Sequence, residues 1–155
     1  MATTEPVRHA VTVSLPVDEA WRLFTEQMGR WWPLESHSLY GSDATGIEVE
    51  TREGGEVREL ASDGRAGHWA TILAWEPGER LVLSWELDRD RPRATEVEVR
   101  FAPSEDGGTR VELEHRHWER LGDEAAAGRE SYRTGWAFVL SRYEAAVAEG
   151  AAATA

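Results

Sequence analysis

Hydrophobic and polar positions change their period repeatedly along this chain. From Val7 to Leu15 they alternate, with Val7, Val11, Val13 and Leu15 on one parity and His9 interrupting, the two-residue period of a strand. From Pro16 the period lengthens. Ala20, Leu23, Phe24, Gln27 and Met28 form the inward face of a short helix that opens at Pro16-Val-Asp-Glu19, with Asp18 near the positive end of the helix dipole, and stops at Gly29. Trp31-Trp32-Pro33 begins a loop that runs to about Thr45.

Alternation then returns. Strands are predicted over Ile47 to Arg52, Glu56 to Leu60, Gly67 to Trp75, Arg80 to Leu87, Thr95 to Ala102 and Thr109 to Trp118. Glycine marks the turns, as in Glu53-Gly-Gly55, where it supplies a positive φ, and in Ser62-Asp-Gly64. A charged loop is expected over Asp88 to Arg93. In the last three strands Leu81, Leu83, Trp85 and Leu87 share a face, as do Val97, Val99 and Phe101, and Val111, Leu113, His115 and His117; the intervening residues are mostly charged. That predicts an antiparallel sheet with one buried and one wet face. Finally Tyr132, Trp136, Val139, Leu140, Tyr143 and Val147 follow the helical period, predicting a helix from Glu130 to Glu149 that covers the buried face. The expectation is a single α+β domain over 1–155, its core over about 7–149 and its tail, 150–155, frayed. A curved sheet wrapped around one long helix leaves a space suited to an apolar ligand.

Composition narrows the function classes. With no cysteine there is no disulfide, thiolate or cysteine-held metal. Met1 to Arg8 contains no apolar run, so neither a signal peptide nor a membrane span is expected, and the chain reads as cytoplasmic. A formal net charge of -12 argues against nucleic-acid and membrane partners and keeps a monomer or homodimer dispersed.

Several stretches, in order, resemble the START-like helix-grip superfamily of polyketide cyclases and lipid carriers. More closely, they resemble the domain named for the activator of the Hsp90 ATPase, in its small bacterial form. They are Ala20-Trp-Arg-Leu-Phe-Thr25, Gly29-Arg-Trp-Trp-Pro33, Gly54-Gly55, Ala74-Trp-Glu-Pro77, Arg80-Leu-Val-Leu-Ser-Trp85, Thr95-Glu-Val-Glu-Val-Arg-Phe101, Thr109-Arg-Val-Glu-Leu-Glu-His115 and Gly135-Trp136. The resemblance implies a helix-grip fold, a curved sheet of about seven strands around a long C-terminal helix, with two short helices after the first strand. It leaves function open among carriers, receptors and cyclases. Members that stimulate Hsp90 carry a further N-terminal domain, for which 155 residues leave no room.

Eight tryptophans stand out. Trp69, Trp85 and Trp136 fall where sheet and helix face each other; they either line a pocket, with indole N–H groups orienting a ligand, or pack as ordinary core. Trp31, Trp32 and His37 occupy the loop that the resemblance places at the cavity mouth, as a lid or as a hydrophobic plug with a capping histidine. His115 and His117 point the same way if the strand continues through them. A metal would then need a third ligand from His37, His68 or Glu50, none of which the spacing selects. For His115 the alternatives are a satisfied core histidine, a polar anchor for a ligand, or acid–base work in a cyclase-like or hydratase-like enzyme. Gly135, inside the last helix, lets a strand or ligand approach, and Tyr132 offers its hydroxyl to the same space. Glu50 and Arg52 read as a surface pair. The expected activity is binding of a small apolar or aromatic molecule by Trp31, Trp32, His37, Trp69, Trp85, His115, Tyr132 and Trp136. Neither a cofactor nor a metal is implied. The rivals are an enzyme using the same cavity and a chaperone-linked interaction module.

Overall fold

The computed structural model describes residues 4–87 and 94–154, with side chains to Glu149. The charged loop expected over 88–93 lies outside the described residues. The strands are β1 Val7–Val13, β2 Ala44–Val49, β3 Glu56–Ala61, β4 Ala66–Glu76, β5 Arg80–Trp85, β6 Thr95–Pro103 and β7 Thr109–Arg116. Helix α1, Val17–Phe24, and a 3-10 turn at Met28–Arg30 follow β1, and the long helix α2, Ala125–Thr154, closes the chain. All seven strands form one antiparallel sheet in the order β1-β7-β6-β5-β4-β3-β2. This is the expected helix-grip α+β architecture.

The register explains the curvature. Shifts between Ala44 and Gly46, Val57 and Arg58, and Ile72 and Ala74 place irregularities in three successive strand pairs. Each such bulge bends its strand and increases the local twist, so the sheet curls into a half-barrel around α2. The inner face meets α2 as the periodicities require. Trp136, Val139, Leu140, Tyr143 and Val147 are all buried in one cluster with Leu81, Leu83, Val97, Val99, Phe101, Val111 and Leu113. Full burial of a side chain of this size contributes about 1.5–3 kcal/mol.

Differences from the sequence reading have local causes. The helix α2 begins at Ala125 rather than Glu130, because Ala125-Ala-Ala127 favours helix by propensity without any apolar period. In α1 the buried face includes Trp21, which sits edge-on to Trp75 and Phe101 with centroids 5.0 and 5.1 Å away. Gln27, expected inward, is exposed, since α1 has already ended at Phe24 and the helical period no longer applies. Strand β7 stops at Arg116 because His117 adopts a left-handed φ of 70°. His117 is therefore turned toward Glu119 and away from the inward face, and the expected His-x-His pair does not form.

The outer face is also drier than alternation predicts. Glu86 and Glu98 point outward yet are only 4% and 7% exposed. The chain has no lysine and 17 arginines, several of which pair with carboxylates across this face. Arg116 donates to Glu96, Glu98 and Glu114, and Arg80 donates to Glu98 and Glu76. Burial disfavours the charged form of Glu98, but the guanidinium groups of Arg116 and Arg80 outweigh it and hold the carboxyl below its usual range. Glu50 and Arg52 form the exposed pair expected, 3.6 Å apart. Among the described residues no helix is long and apolar enough to cross a membrane.

Candidate functional site

The loop after α1 returns across the open end of the half-barrel and roofs a cavity of about 270 Å³. Trp32, Ser36, His37, Ser38 and Leu39 supply the roof. Trp69 of β4 and Trp85 and Leu87 at the end of β5 supply one wall, and Ser131, Tyr132, Gly135, Trp136 and Val139 of α2 the other. Six of the eight expected residues thus line one space: Trp32, His37, Trp69, Trp85, Tyr132 and Trp136.

The two adjacent tryptophans divide the alternatives weighed for the loop. Trp31 turns inward as a plug, 4% exposed, with its ring 5.1 Å from both Phe24 and Tyr143 and its indole N–H donated to the Leu23 carbonyl at 2.8 Å. It does not line the cavity. Trp32 does, with centroids 4.9 Å from Trp69, 6.4 Å from Trp85 and 5.7 Å from Trp136.

The roof is tied down on both sides. Toward the sheet, Glu59 of β3, fully buried, accepts the backbone N–H groups of Leu39 at 2.7 Å and Tyr40 at 2.8 Å, together with the Trp69 indole N–H at 3.1 Å. Gly67 of β4 makes room for this contact, since a Cβ there would stand 2.6 Å from Leu39 Cδ1. Toward α2, Glu35 pairs with Arg142, and the His37 ring stacks on Phe138 at 5.2 Å and 29°. A hydrogen bond from its own backbone and the Arg142 guanidinium hold the Glu35 carboxyl below its usual range.

At the indoles the hydrogen bonding follows the packing alternative. Each cavity tryptophan donates its N–H into the protein rather than toward a ligand. Trp32 donates to the His37 carbonyl at 2.7 Å, Trp69 to Glu59 at 3.1 Å, Trp85 to the Tyr132 hydroxyl at 2.9 Å and Trp136 to His115 Nδ1 at 2.9 Å. Buried N–H groups demand such partners, so the cavity is left with π faces. His115 explains itself the same way. It is fully buried behind the wall, outside the lining, its Nδ1 taken by Trp136 and its Nε2 2.6 Å from Thr95 Oγ1. An indole N–H only donates, so Nδ1 is the acceptor and the ring proton sits on Nε2. His115 sets the position of Trp136 and does not meet a cavity ligand directly.

Among the described lining residues no Asp, Glu, Lys or Arg occurs. The remaining metal candidates are dispersed. His37 is in the roof, His68 is on the outer face between Glu56 and Glu86, and Glu50 is with Arg52. Among the described residues no three His, Cys, Asp or Glu side chains gather as a metal site. Sequence reasoning missed Ser36, Ser38, Leu39, Leu87, Ser131 and Val139 as lining residues. The loop residues carry no periodic signal; Ser131 and Val139, however, flank Gly135 at four-residue spacing and so share its helix face.

Comparison with known proteins agrees with the geometry. The family described as activator of Hsp90 ATPase homolog 1-like protein matches residues 14–148. Among curated proteins none matches the chain. Among solved structures, an anthrahydroquino-gamma-pyrone synthase, Txn09, solved as a complex, is 33% identical, with 92% of this chain and 97% of that one covered and a TM-score of 0.63. A protein from Nitrosomonas europaea superposes with a TM-score of 0.69 at 17% identity over 97% and 98% of the two chains. The Aha1 dimer from Colwellia psychrerythraea does so with 0.63 at 15% over 92% and 95%. With its half-barrel, its long closing helix and a family match that runs through nearly the whole domain, this chain belongs to the activator of Hsp90 ATPase homolog 1-like family.

Proposed function

We propose that this protein binds a small, uncharged, planar aromatic molecule between the loop after α1, strands β4 and β5, and helix α2. The observation that carries the reading is the four indoles, Trp32, Trp69, Trp85 and Trp136, around one cavity of about 270 Å³ whose described lining holds no Asp, Glu, Lys or Arg. An apolar cavity of about 150 Å³ accepts one benzene ring, so this one suits two fused rings. Ring faces whose N–H edges are engaged elsewhere favour stacking and dispersion and penalise a charged guest. The identity of 33% to a protein named as a synthase of an anthrahydroquino-type product supports a fused-ring guest.

The same identity favours a second reading, a ring-forming enzyme whose cavity orients a reactive chain. The chaperone-linked reading finds less support. The exposed large apolar side chains among the described residues are Leu39, Leu73 and Phe138, of which Leu39 roofs the cavity and Phe138 stacks on His37. The acidic chain is taken to act on a small molecule in the cytoplasm, not on nucleic acid.

A thermal-shift titration with neutral fused-ring aromatics, and with aliphatic compounds of equal size, tests the binding reading. A guest at a hundred times its Kd adds about 2.7 kcal/mol, which raises Tm by about 5–10 °C in a domain of this size. The aromatics should do so while quenching tryptophan fluorescence. Equal stabilisation by the aliphatic set, or none by either, overturns it. Turnover of a bound hit would then separate enzyme from carrier.

A further inference from the structure

With every cavity indole engaged by the protein, polar recognition of a guest has to come from another group. Among the described lining residues, His37 Nε2 is the ring nitrogen that remains without a protein partner. The rest of that ring is fixed. Its Nδ1 lies 2.7 Å from Ser36 Oγ, its face stacks on Phe138, and its carbonyl accepts the Trp32 indole N–H at 2.7 Å. Arg142, paired with Glu35, stands over the same Phe138 ring at 5.3 Å and braces the stack.

Opposite His37, α2 presents bare backbone. A Cβ built on Gly135 would lie 3.9 Å from His37 Nε2 and 4.0 Å from Cδ2, with nothing closer. That is ordinary van der Waals distance, so packing within the protein does not require glycine at this position. Glycine is nonetheless the costliest residue in a helix interior after proline. Space in front of Nε2 accounts for both facts.

Resting on the aromatic-cavity reading, we propose that His37 Nε2 and the bare backbone at Gly135 form a hydrogen-bonding subsite for an oxygen on the edge of the guest. The chemistry is that of a phenol or enol hydroxyl, or of the corresponding ring carbonyl. Ser36 makes the subsite ambivalent. When its hydroxyl donates to Nδ1, Nε2 carries the proton and donates to a carbonyl; when it accepts from Nδ1–H, Nε2 accepts from a hydroxyl. The subsite therefore takes either tautomer of a hydroxylated aromatic ring. The tryptophans recognise the ring, and His37 sets which edge enters and how it is turned.

The test compares 2-naphthol with naphthalene, two probes that differ by one hydroxyl. The readout is the ratio of their Kd values, in wild type and in His37→Leu, His37→Gln and Gly135→Ala. One net hydrogen bond is worth a factor of about 2–12, so His37→Leu should shift the ratio toward naphthalene by about that factor while naphthalene affinity holds within about twofold. His37→Gln, which keeps a hydrogen-bonding terminus, should retain part of the preference. Gly135→Ala should raise Tm yet weaken 2-naphthol. In wild type, 2-naphthol but not naphthalene should move the His37 Nε2 resonance in imidazole 15N spectra. If both probes bind and neither the ratio nor that resonance responds, the subsite is wrong and the cavity reading stands. If neither probe binds the wild type, the cavity reading falls and takes the subsite with it.

Discussion

Replacing Glu59 by Gln puts the attachment of the cavity roof under direct test. The carboxylate lies fully buried and accepts three N–H groups, two from the backbone of the roof and one from Trp69. Glutamine keeps one oxygen, which can serve Leu39 N–H and the indole as Oε1 does now. Its amide nitrogen must then face Tyr40 N–H, donor against donor. Leaving that N–H unsatisfied costs about 1–3 kcal/mol, and removing the negative charge weakens each surviving bond by about 1 kcal/mol. The total is about 3–5 kcal/mol, and it falls on the loop, which can lift while the sheet stays paired. Native-state hydrogen exchange should show it. The amides of Leu39 and Tyr40 should exchange at least about 100-fold faster than in wild type, at about tenfold per 1.4 kcal/mol. The urea midpoint should move far less than a global loss of the same energy would require. Unchanged protection at both amides would refute the assignment of Glu59 as the tie.

Three further outcomes follow from other parts of the molecule. Desolvation lowers the His68 pKa, but hydrogen bonds to Glu86 and Glu56 outweigh it and raise it above the ordinary 6.5. Stability from the charged ring is thus complete below pH 6.5 and lost as pH rises through the folded value. Glu86, held below 4.5 against its own burial chiefly by His68, loses its contribution as pH falls through its folded value. Urea midpoints from pH 6 to 9 should therefore decline in wild type and flatten in His68→Gln; an unaltered slope would exclude this origin. Tyr143→Phe removes a fully buried hydroxyl that donates to the Ala20 carbonyl at 2.8 Å. It should cost about 1 kcal/mol, a Tm loss of about 2–4 °C by calorimetry. Gly67→Ala drives a methyl group against Leu39 Cδ1 and Tyr40 Oη, at 2.6 and 3.0 Å. Stability should stay within about 1 kcal/mol of wild type, because these side chains can shift, while affinity for an aromatic guest falls in the same titration.

His115 of β7 and His117 just beyond its end mark the limit of strand alternation. Alternation puts His115 and His117 on one face, and for His115 that face is correct. One residue in a left-handed conformation at position 117 then ends the period and sends the second ring outward. Periodicity describes a strand only while it lasts. Its end depends on the 3-10 segment Trp118–Glu124 that seals a small second core, in which Trp118 and Leu121 are buried.

What the sequence by itself determined is the fold and the inward faces. The two periods, the glycine turns and the aromatic positions of α2 sufficed for a seven-stranded sheet closed by a helix, because burial of alternating and helical stripes has few compatible arrangements. They also pointed Trp69, Trp85 and Trp136 at one space, to which the resemblance to the helix-grip fold added Trp32. Only the tertiary structure decided how each side chain is used there. A buried N–H must find an acceptor, and which acceptor lies nearby is settled by residues far apart in the chain: Glu59 for Trp69, Tyr132 for Trp85 and His115 for Trp136. Those long-range pairings turned the indole N–H groups away from the cavity and placed His115 behind its wall. They left His37 Nε2, on a loop where no sequence period points to it, as the ring nitrogen of the described lining without a protein partner.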